Sequence, residues 1–115
     1  MEKYEGRIIE ESLIDNRILN KYKIIKVTIT DDHISKERWH IYNILVTRKE
    51  IEKLSKSIKH GWFMHFWDIN KKGLVVYKNK IFEINYHDKK THTEAINYGL
   101  LAKISRKHLI FEIEK

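Results

Sequence analysis

Residues 62–67, WFMHFW, place four aromatic rings and a histidine within six positions. Side chains of an extended strand point alternately to opposite faces of the sheet. This strand would therefore divide into two sets, Trp62, Met64 and Phe66 on one face and Phe63, His65 and Trp67 on the other. Both sets are rich in rings, whereas an antiparallel strand commonly has one solvated face. A sheet that contains this segment needs a cover on each face, from the chain itself, a second copy or a ligand.

Alternating apolar and polar residues predict further strands. In YKIIKVTIT, Ile25, Val27 and Ile29 alternate with lysine and threonine, which is the period of a half-buried strand. A polar turn at residues 31–38 would lead the chain back through WHIYNILV as the antiparallel partner. The full set of predicted strands is 4–15, 22–30, 39–46, 62–67, 74–78, 81–86 and, at 108–113, a short closing strand or extended tail, with a tight hairpin joining 74–78 to 81–86.

Two helices are predicted from capping boxes, in which a threonine precedes a glutamate by three residues. TRKE at 47–50 opens the first helix, and Gly61 stands where that helix should end. THTE at 91–94 opens the second helix, which contains Gly99. Glycine inside a helix costs about 1 kcal/mol relative to alanine. Another part of the chain is therefore expected to pack closely against Gly99.

The order of elements is strands, helix, strands, helix, strand. Strand blocks joined by tight turns favour an antiparallel sheet over alternating parallel crossovers. The chain has no proline and no stretch that resembles a linker. We therefore predict a single α+β domain over residues 1–115, with an antiparallel sheet of five to six strands and two helices packed on one face.

The amino-acid composition limits the possible locations and partners of the protein. The chain has no cysteine, which excludes disulfides and thiolate metal sites and fits a reducing compartment. No apolar run approaches the roughly 18 residues of a membrane span, and the N-terminal residues lack the apolar segment of a signal peptide. We expect a cytoplasmic protein.

The net charge of +7 makes nucleic acid a candidate partner. Lysine far outnumbers arginine, however, and the lysines are scattered along the chain. Since arginine is the better residue for binding phosphates and bases, a nucleic-acid partner is not favoured.

The sheet face away from the helices is predicted to carry rings mixed with polar groups. Its members would be Trp39, Asn43, Phe63, His65, Trp67 and Glu83. Rings supply apolar contact area and a few polar groups orient a ligand, as in small-molecule pockets and base-stacking surfaces. Three covers remain open for this face: a terminal segment of the chain, a second copy in a homodimer, and a ligand or nucleic acid.

Motifs for catalysis or for metal binding are not found. HDKKTH at 87–92 does not match a zinc spacing, and the chain has no glycine-rich phosphate loop or nucleophile elbow. No cofactor, metal or catalytic residue is therefore predicted. His65 would need a carboxylate within hydrogen-bond reach to act as an acid or base. The candidates are Glu10, Glu11 and Glu83, although Glu10 and Glu11 would face opposite ways in a strand.

Several segments, EGRIIEESL, WHIYNILV, GWFMHFW, LVVYKNKIFEI, EAINYGL and LIFEI, follow one another along nearly the whole chain. With their EES, WH, GWxxHFW and EAIxYG elements, they resemble a family of small uncharacterised prokaryotic proteins. The family's closing segment carries proline and acidic residues where this chain has SRKHLIFEI, which leaves the conformation of the C-terminal segment open. The resemblance implies no activity, cofactor or site.

The residues together favour a non-enzymatic binding or interaction module that uses the aromatic face. Trp39 and Trp67 would anchor the partner, while His65 and Asn43 would orient it. Such a face could also form a homodimer. The alternative functions are single-stranded nucleic-acid binding, through ring stacking and lysines, and a small hydrolase or isomerase with His65 as the acid or base.

Overall fold

The fold is described from a computed structural model, over residues 3–30, 39–109 and 111. Six strands form one sheet: β1 (Lys3–Ile9), β2 (Lys23–Ile29), β3 (His40–Thr47), β4 (Met64–Trp67), β5 (Lys72–Tyr77) and β6 (Lys80–Asn85). The two α-helices are α1 (Arg48–Ser57) and α2 (Thr93–Leu101). Short 3₁₀ helices occupy Glu10–Ser12, Asn16–Lys21, Lys89–His92 and Arg106–His108.

The sheet is antiparallel throughout, in the order β2-β3-β1-β4-β5-β6. The predicted α+β class and antiparallel sheet are confirmed, as are the pairing of β2 with β3 and the tight hairpin between β5 and β6. The first strand of the sequence lies at the centre, because β1 pairs with β3 on one side and β4 on the other.

One face of the sheet packs against α1. Ile51 and Leu54 of this helix are fully buried in the same apolar cluster as Met64 and Phe66 of β4. Leu74 and Val76, two alternate residues of β5, also belong to this cluster. Among the described residues, this cluster is the larger of two apolar clusters.

The second helix covers the opposite face. Ala95 of α2 packs in a separate cluster with Val75 and Tyr77 of β5, which alternate with the residues that face α1. The prediction that both helices lie on one face is therefore wrong. The physical reason lies in β5, which is buried along both faces. A strand of that kind needs a layer on each side, and a single helical layer cannot supply both.

The capping box at the start of α1 is confirmed. The Thr47 hydroxyl accepts a hydrogen bond from the Glu50 amide at 3.3 Å, and the Glu50 carboxylate accepts one from the Thr47 amide at 2.9 Å. The helix ends at Ser57, and Gly61 then takes a positive φ of 84° as the chain turns towards β4.

Replacing Thr47 with alanine should lower the free energy of unfolding by about 1 kcal/mol, because the amide of Glu50 loses its partner. Thr93 provides a matched control, since it is exposed in the first turn of α2. Thr93→Ala should change stability by less than about 0.5 kcal/mol. Urea unfolding monitored by circular dichroism measures both variants, and equal losses would contradict a specific role for the cap.

The second capping box does not form. Residues Lys89–His92 make a 3₁₀ turn before α2, and the N-cap position of α2 is His92, without a side-chain cap. The Thr91 hydroxyl instead donates to the backbone oxygens of Asp88 and Asn85. The close packing expected at Gly99 is confirmed, because an added Cβ would stand 2.8 Å from the Tyr77 hydroxyl.

Three other elements differ from their predictions. The first strand stops at Ile9, and Glu10–Ser12 turns away as a 3₁₀ helix. Strand β2 is an edge strand whose isoleucines and valine are exposed instead of half-buried. The closing segment begins with a 3₁₀ turn at Arg106–His108, and its other described residues, Leu109 and Phe111, belong to no strand.

The predicted turn at 31–38 lies outside the described residues, as do residues 110, 112 and 113 of the closing segment. Among the helices that the structure does describe, none is both long enough and apolar enough to pass through a membrane.

Candidate functional site

The side chains of β4 alternate as the sequence predicts. Met64 and Phe66 are buried in the α1 cluster, whereas Phe63 packs with the α2 cluster. His65 is the direct neighbour of Arg7 in β1 and Val75 in β5, so it faces away from α1. The extended reading of residues 62–67 is confirmed for β4, which spans Met64–Trp67.

The chain itself covers the rings over one half of this face. Trp67 is only 7% exposed, and its ring centroid lies 6.3 Å from that of Tyr86 in an edge-to-face arrangement. Phe111, from the segment after α2, packs on Phe63 at 5.5 Å and near His65 at 6.4 Å. The first of the three covers considered for this face is thus present over β4 to β6.

Over β1 and β3, the described residues leave an open cleft of about 410 Å³ on this face. Its floor is the sheet and its outer wall is the segment that follows α2. The described residues that line the cleft include the floor residues Arg7, Ile9, Ile41 and His65, the aromatic residues Trp39, Trp62 and Phe63, and the outer-wall residues Lys103, Ile104, Ser105 and His108.

Aromatic contacts build the mouth of the cleft. The Trp39 and Trp62 rings meet edge to face with centroids 5.4 Å apart. The imidazole of His108 lies 6.0 Å from Trp39 and joins the outer wall to the sheet. Edge-to-face pairs of this kind are favourable beyond their buried area, so the rings hold one another in place at the edge of the opening.

His65 is uncharged at neutral pH. Burial, reinforced by the positive charge of Arg7, lowers the pKa of His65 to about 4. The Tyr86 hydroxyl oxygen lies 2.9 Å from Nδ1 of His65 and 3.2 Å from the carbonyl oxygen of Phe66. These two contacts fix the position of the imidazole relative to the Tyr86 ring and the backbone of β4.

Three of the six predicted binding residues, Trp39, Phe63 and His65, line the cleft together. Trp67 is buried beneath the cover, and Asn43 is 9% exposed in the row that contains Arg7 and His65. Neither of these two residues lines the cleft.

Glu83 is on the other face, and its predicted place beside His65 is wrong. It pairs with Leu74, whose side chain belongs to the α1 cluster. Its carboxylate lies 3.5 Å from the guanidinium of Arg48 at the start of α1. The register of β6 explains the error, because Phe82 and Ile84 of that strand face α2.

The other two carboxylates considered for His65 are engaged elsewhere. Glu11 accepts hydrogen bonds from the backbone nitrogen of His40 at 2.8 Å and contacts its Nδ1 at 2.7 Å. Burial opposes ionisation of Glu11, but the bonds from His40 outweigh it and lower the Glu11 pKa, while the Glu11 bond raises the pKa of His40. Glu10 accepts from the Tyr42 hydroxyl at 2.9 Å.

The side chains of Glu10 and Glu11 thus approach the same part of β3, because the two residues lie in a 3₁₀ turn. Their prediction as strand residues that point in opposite directions is wrong. One carboxylate oxygen of each glutamate and a ring nitrogen of His40 lie within 4.8 Å of one another. The hydrogen bonds with His40 and Tyr42 account for this arrangement, which ties the turn to β3.

The predicted binding residues do not include Arg7, Trp62, Lys103 or His108, which also line the cleft. Arg7 could have been found by continuing the strand alternation from Ile8, which is buried on the α1 face. Lys103 and His108 lie in a segment without regular periodicity, and only the tertiary fold brings them to the sheet. Trp62 packs against the α1 core and also borders the cleft.

No protein-family model, curated protein or solved structure matches this chain. The resemblance to a small prokaryotic family therefore stays a prediction.

Proposed function

We propose that this protein is a non-enzymatic binding module that takes a small ligand with a flat apolar part into the cleft between the sheet and the segment after α2. The observation that carries this proposal is the open cleft of about 410 Å³ bordered by Trp39, Trp62 and Phe63. Its volume lies within the range of about 300 to 1,000 Å³ that is usual for small-molecule sites.

The lining has the composition that such a site needs. Rings and the side chains of Ile9, Ile41 and Ile104 provide apolar area, while the imidazole of His65, held by Tyr86, is a fixed polar group. Small-molecule sites combine a mostly apolar lining with a few polar groups that orient the ligand. In this proposal Trp39 is the anchor and His65 orients the ligand.

The alternative functions have less support. A nucleic-acid surface needs rings that are open along the strands, but Trp67 is buried and Phe63 is partly covered by Phe111. An acid or base role for His65 needs a nearby carboxylate, and Glu11 and Glu83 are paired with His40 and Arg48 instead. We therefore favour binding over catalysis.

The proposal places the protein in the cytoplasm. Its composition without cysteine is compatible with a reducing compartment.

The proposal does not require self-association. The cleft is formed by the sheet and the segment after α2 of a single chain. A homodimer through the aromatic face is less favoured, because the chain covers Trp67 itself.

The neutral fluorescent dye N-phenyl-1-naphthylamine tests the proposal, since its emission rises when it leaves water for an apolar site. We expect saturable binding to the wild-type protein. Trp39→Ala should weaken the affinity about tenfold, because one ring of the mouth and its contact with Trp62 are lost.

Ile29→Thr provides the control for adsorption on exposed apolar surface. Ile29 is 57% exposed on β2 and does not line the cleft. This variant should bind the dye as the wild type does. Binding that depends on Ile29 and is unchanged by Trp39→Ala would overturn the proposed site.

A further inference from the structure

Strand β2 lies at one edge of the sheet, and among the described residues it pairs only with β3. The outer backbone groups of β2 therefore have no strand partner in the part of the chain that the structure describes. Such an edge is a template for the addition of another strand. It also carries large apolar side chains that are 40% to 57% exposed, those of Ile24, Ile25, Val27 and Ile29. Contiguous exposed apolar residues of this kind mark a surface for protein interaction.

A β-bulge at Ile25 determines which way the side chains of this edge point. Residues directly opposite each other in an antiparallel pair point to the same face. Ile24 lies opposite Ile44, which belongs to the α1 cluster, and the register then skips Ile25. Lys26 consequently lies opposite Asn43, on the face away from α1. Without the bulge, simple alternation would place Lys26 on the same face as Ile24.

The edge is thus divided into an apolar row and a basic row. The register places Val27 and Ile29 on the α1 face, in a row with Ile24. Lys23 and Lys26 lie on the other face, and both side chains are exposed. Within the described residues neither lysine forms an ion pair. Their charges are therefore open to a strand that pairs with β2.

We propose that the edge of β2 binds an extended segment of a partner protein in which acidic and apolar residues alternate. The segment adds to the sheet as a further strand, so that backbone hydrogen bonds provide affinity and alternate side chains provide specificity. Its apolar side chains lie beside Val27 and Ile29, and its carboxylates lie beside Lys23 and Lys26. Opposite charges on neighbouring strands attract each other.

Charge argues against a second copy of this strand as the occupant. Antiparallel pairing of two β2 strands about a two-fold axis perpendicular to the sheet would bring the lysines of both copies onto one face. Like charges on neighbouring strands are destabilising. The net charge of +7 also favours the approach of an acidic partner. This surface is separate from the cleft, because none of residues 23–29 lines the cleft.

A short fluorescein-labelled peptide in which glutamate alternates with valine tests the proposal. Fluorescence anisotropy at neutral pH and low salt should show saturable binding of this peptide to the wild-type protein. The same peptide with lysine in place of glutamate should bind about tenfold more weakly, because it meets the basic row. A glutamate peptide that is methylated at every backbone nitrogen should not bind, because it cannot donate hydrogen bonds to the strand.

Lys26→Glu should weaken the binding of the glutamate peptide about tenfold and strengthen that of the lysine peptide. Lys53→Glu is the matched control, since Lys53 is exposed on α1 and the change in net charge is the same. This control should keep the preference of the wild type for glutamate. Val27→Thr should weaken both peptides about threefold, because it keeps the shape of the side chain and removes apolar contact.

Four results would each overturn the proposal. They are the absence of binding by the glutamate peptide, binding that survives methylation of its backbone, equal effects of Lys26→Glu and Lys53→Glu, and self-association through this edge. Light scattering tests the last of these, and we expect a monomer. A wild-type dimer that dissociates on Val27→Lys would assign the edge to a second copy of the chain.

Discussion

Gly6→Ala should lower the free energy of unfolding by about 3 kcal/mol, the upper part of the usual range for overpacking a core. A Cβ at this position would collide with the Cδ1 atom of Phe66 and would stand 2.6 Å from the carbonyl oxygen of His65. The carbonyl belongs to the paired backbone of β4, so it cannot move without disturbing the sheet. Domains of this size are stable by only about 5 to 15 kcal/mol.

Gly61→Ala shows what a glycine change costs without a collision. An added Cβ at Gly61 would have no atom within 4 Å, although the φ of 84° disfavours alanine there. We expect a loss of about 1 kcal/mol from this backbone strain. Chemical unfolding of both variants measures the difference, and a smaller loss for Gly6→Ala than for Gly61→Ala would contradict the described packing of Phe66 over Gly6.

Acidification should destabilise the protein through His65. The pKa of this residue is about 4 in the folded protein, below the ordinary value of 6.5. The unfolded chain therefore takes up a proton more readily, and the free energy of unfolding falls as the pH falls from about 6.5 to about 4. The contribution of this one group approaches about 3 kcal/mol at pH 4. Above pH 7, His65 is neutral in both the folded and the unfolded chain and no longer changes the free energy of unfolding with pH.

The variant His65→Gln separates this effect from other titrating groups. Glu11, whose pKa is also lowered, adds its own loss of stability in acid. Urea unfolding from pH 7.5 to pH 4 gives the free energy of unfolding of the wild type and of the variant. The difference between the two at each pH is the contribution of the His65 imidazole. We expect the pH dependence to be shallower in the variant. Parallel curves would contradict a buried, neutral His65 beside Arg7 and Tyr86.

The sheet was predictable because its strands carry strong local patterns. The two-sided character of residues 62–67 correctly indicates that both faces are covered, and the alternation correctly separates Phe66 from His65. The position of the second helix was not predictable in the same way. Strands β3 and β6 each have an apolar face, but β3 presents Ile44 to α1 whereas β6 presents Ile84 to α2. Local alternation does not fix the relative register of distant strands.

The candidate site was predictable only in part, for a related reason. Phe63 and His65 follow from one strand, so the sequence places them correctly relative to each other. Lys103 and His108 come from an irregular segment that follows α2 and borders the cleft. No periodicity marks such a segment. The long-range contacts that decide which rings remain open are likewise absent from any local pattern.

The central position of β1 has a consequence for how the polypeptide assembles. This strand is the first to be synthesised, yet Lys3 pairs with Thr47 and Gly6 pairs with Phe66. The middle of the sheet is therefore complete only after β4 has left the ribosome, while the β5–β6 hairpin can close locally as soon as it emerges. Such non-local pairing generally slows folding to milliseconds or longer, and until β3 emerges the nascent β1 has neither of its neighbours.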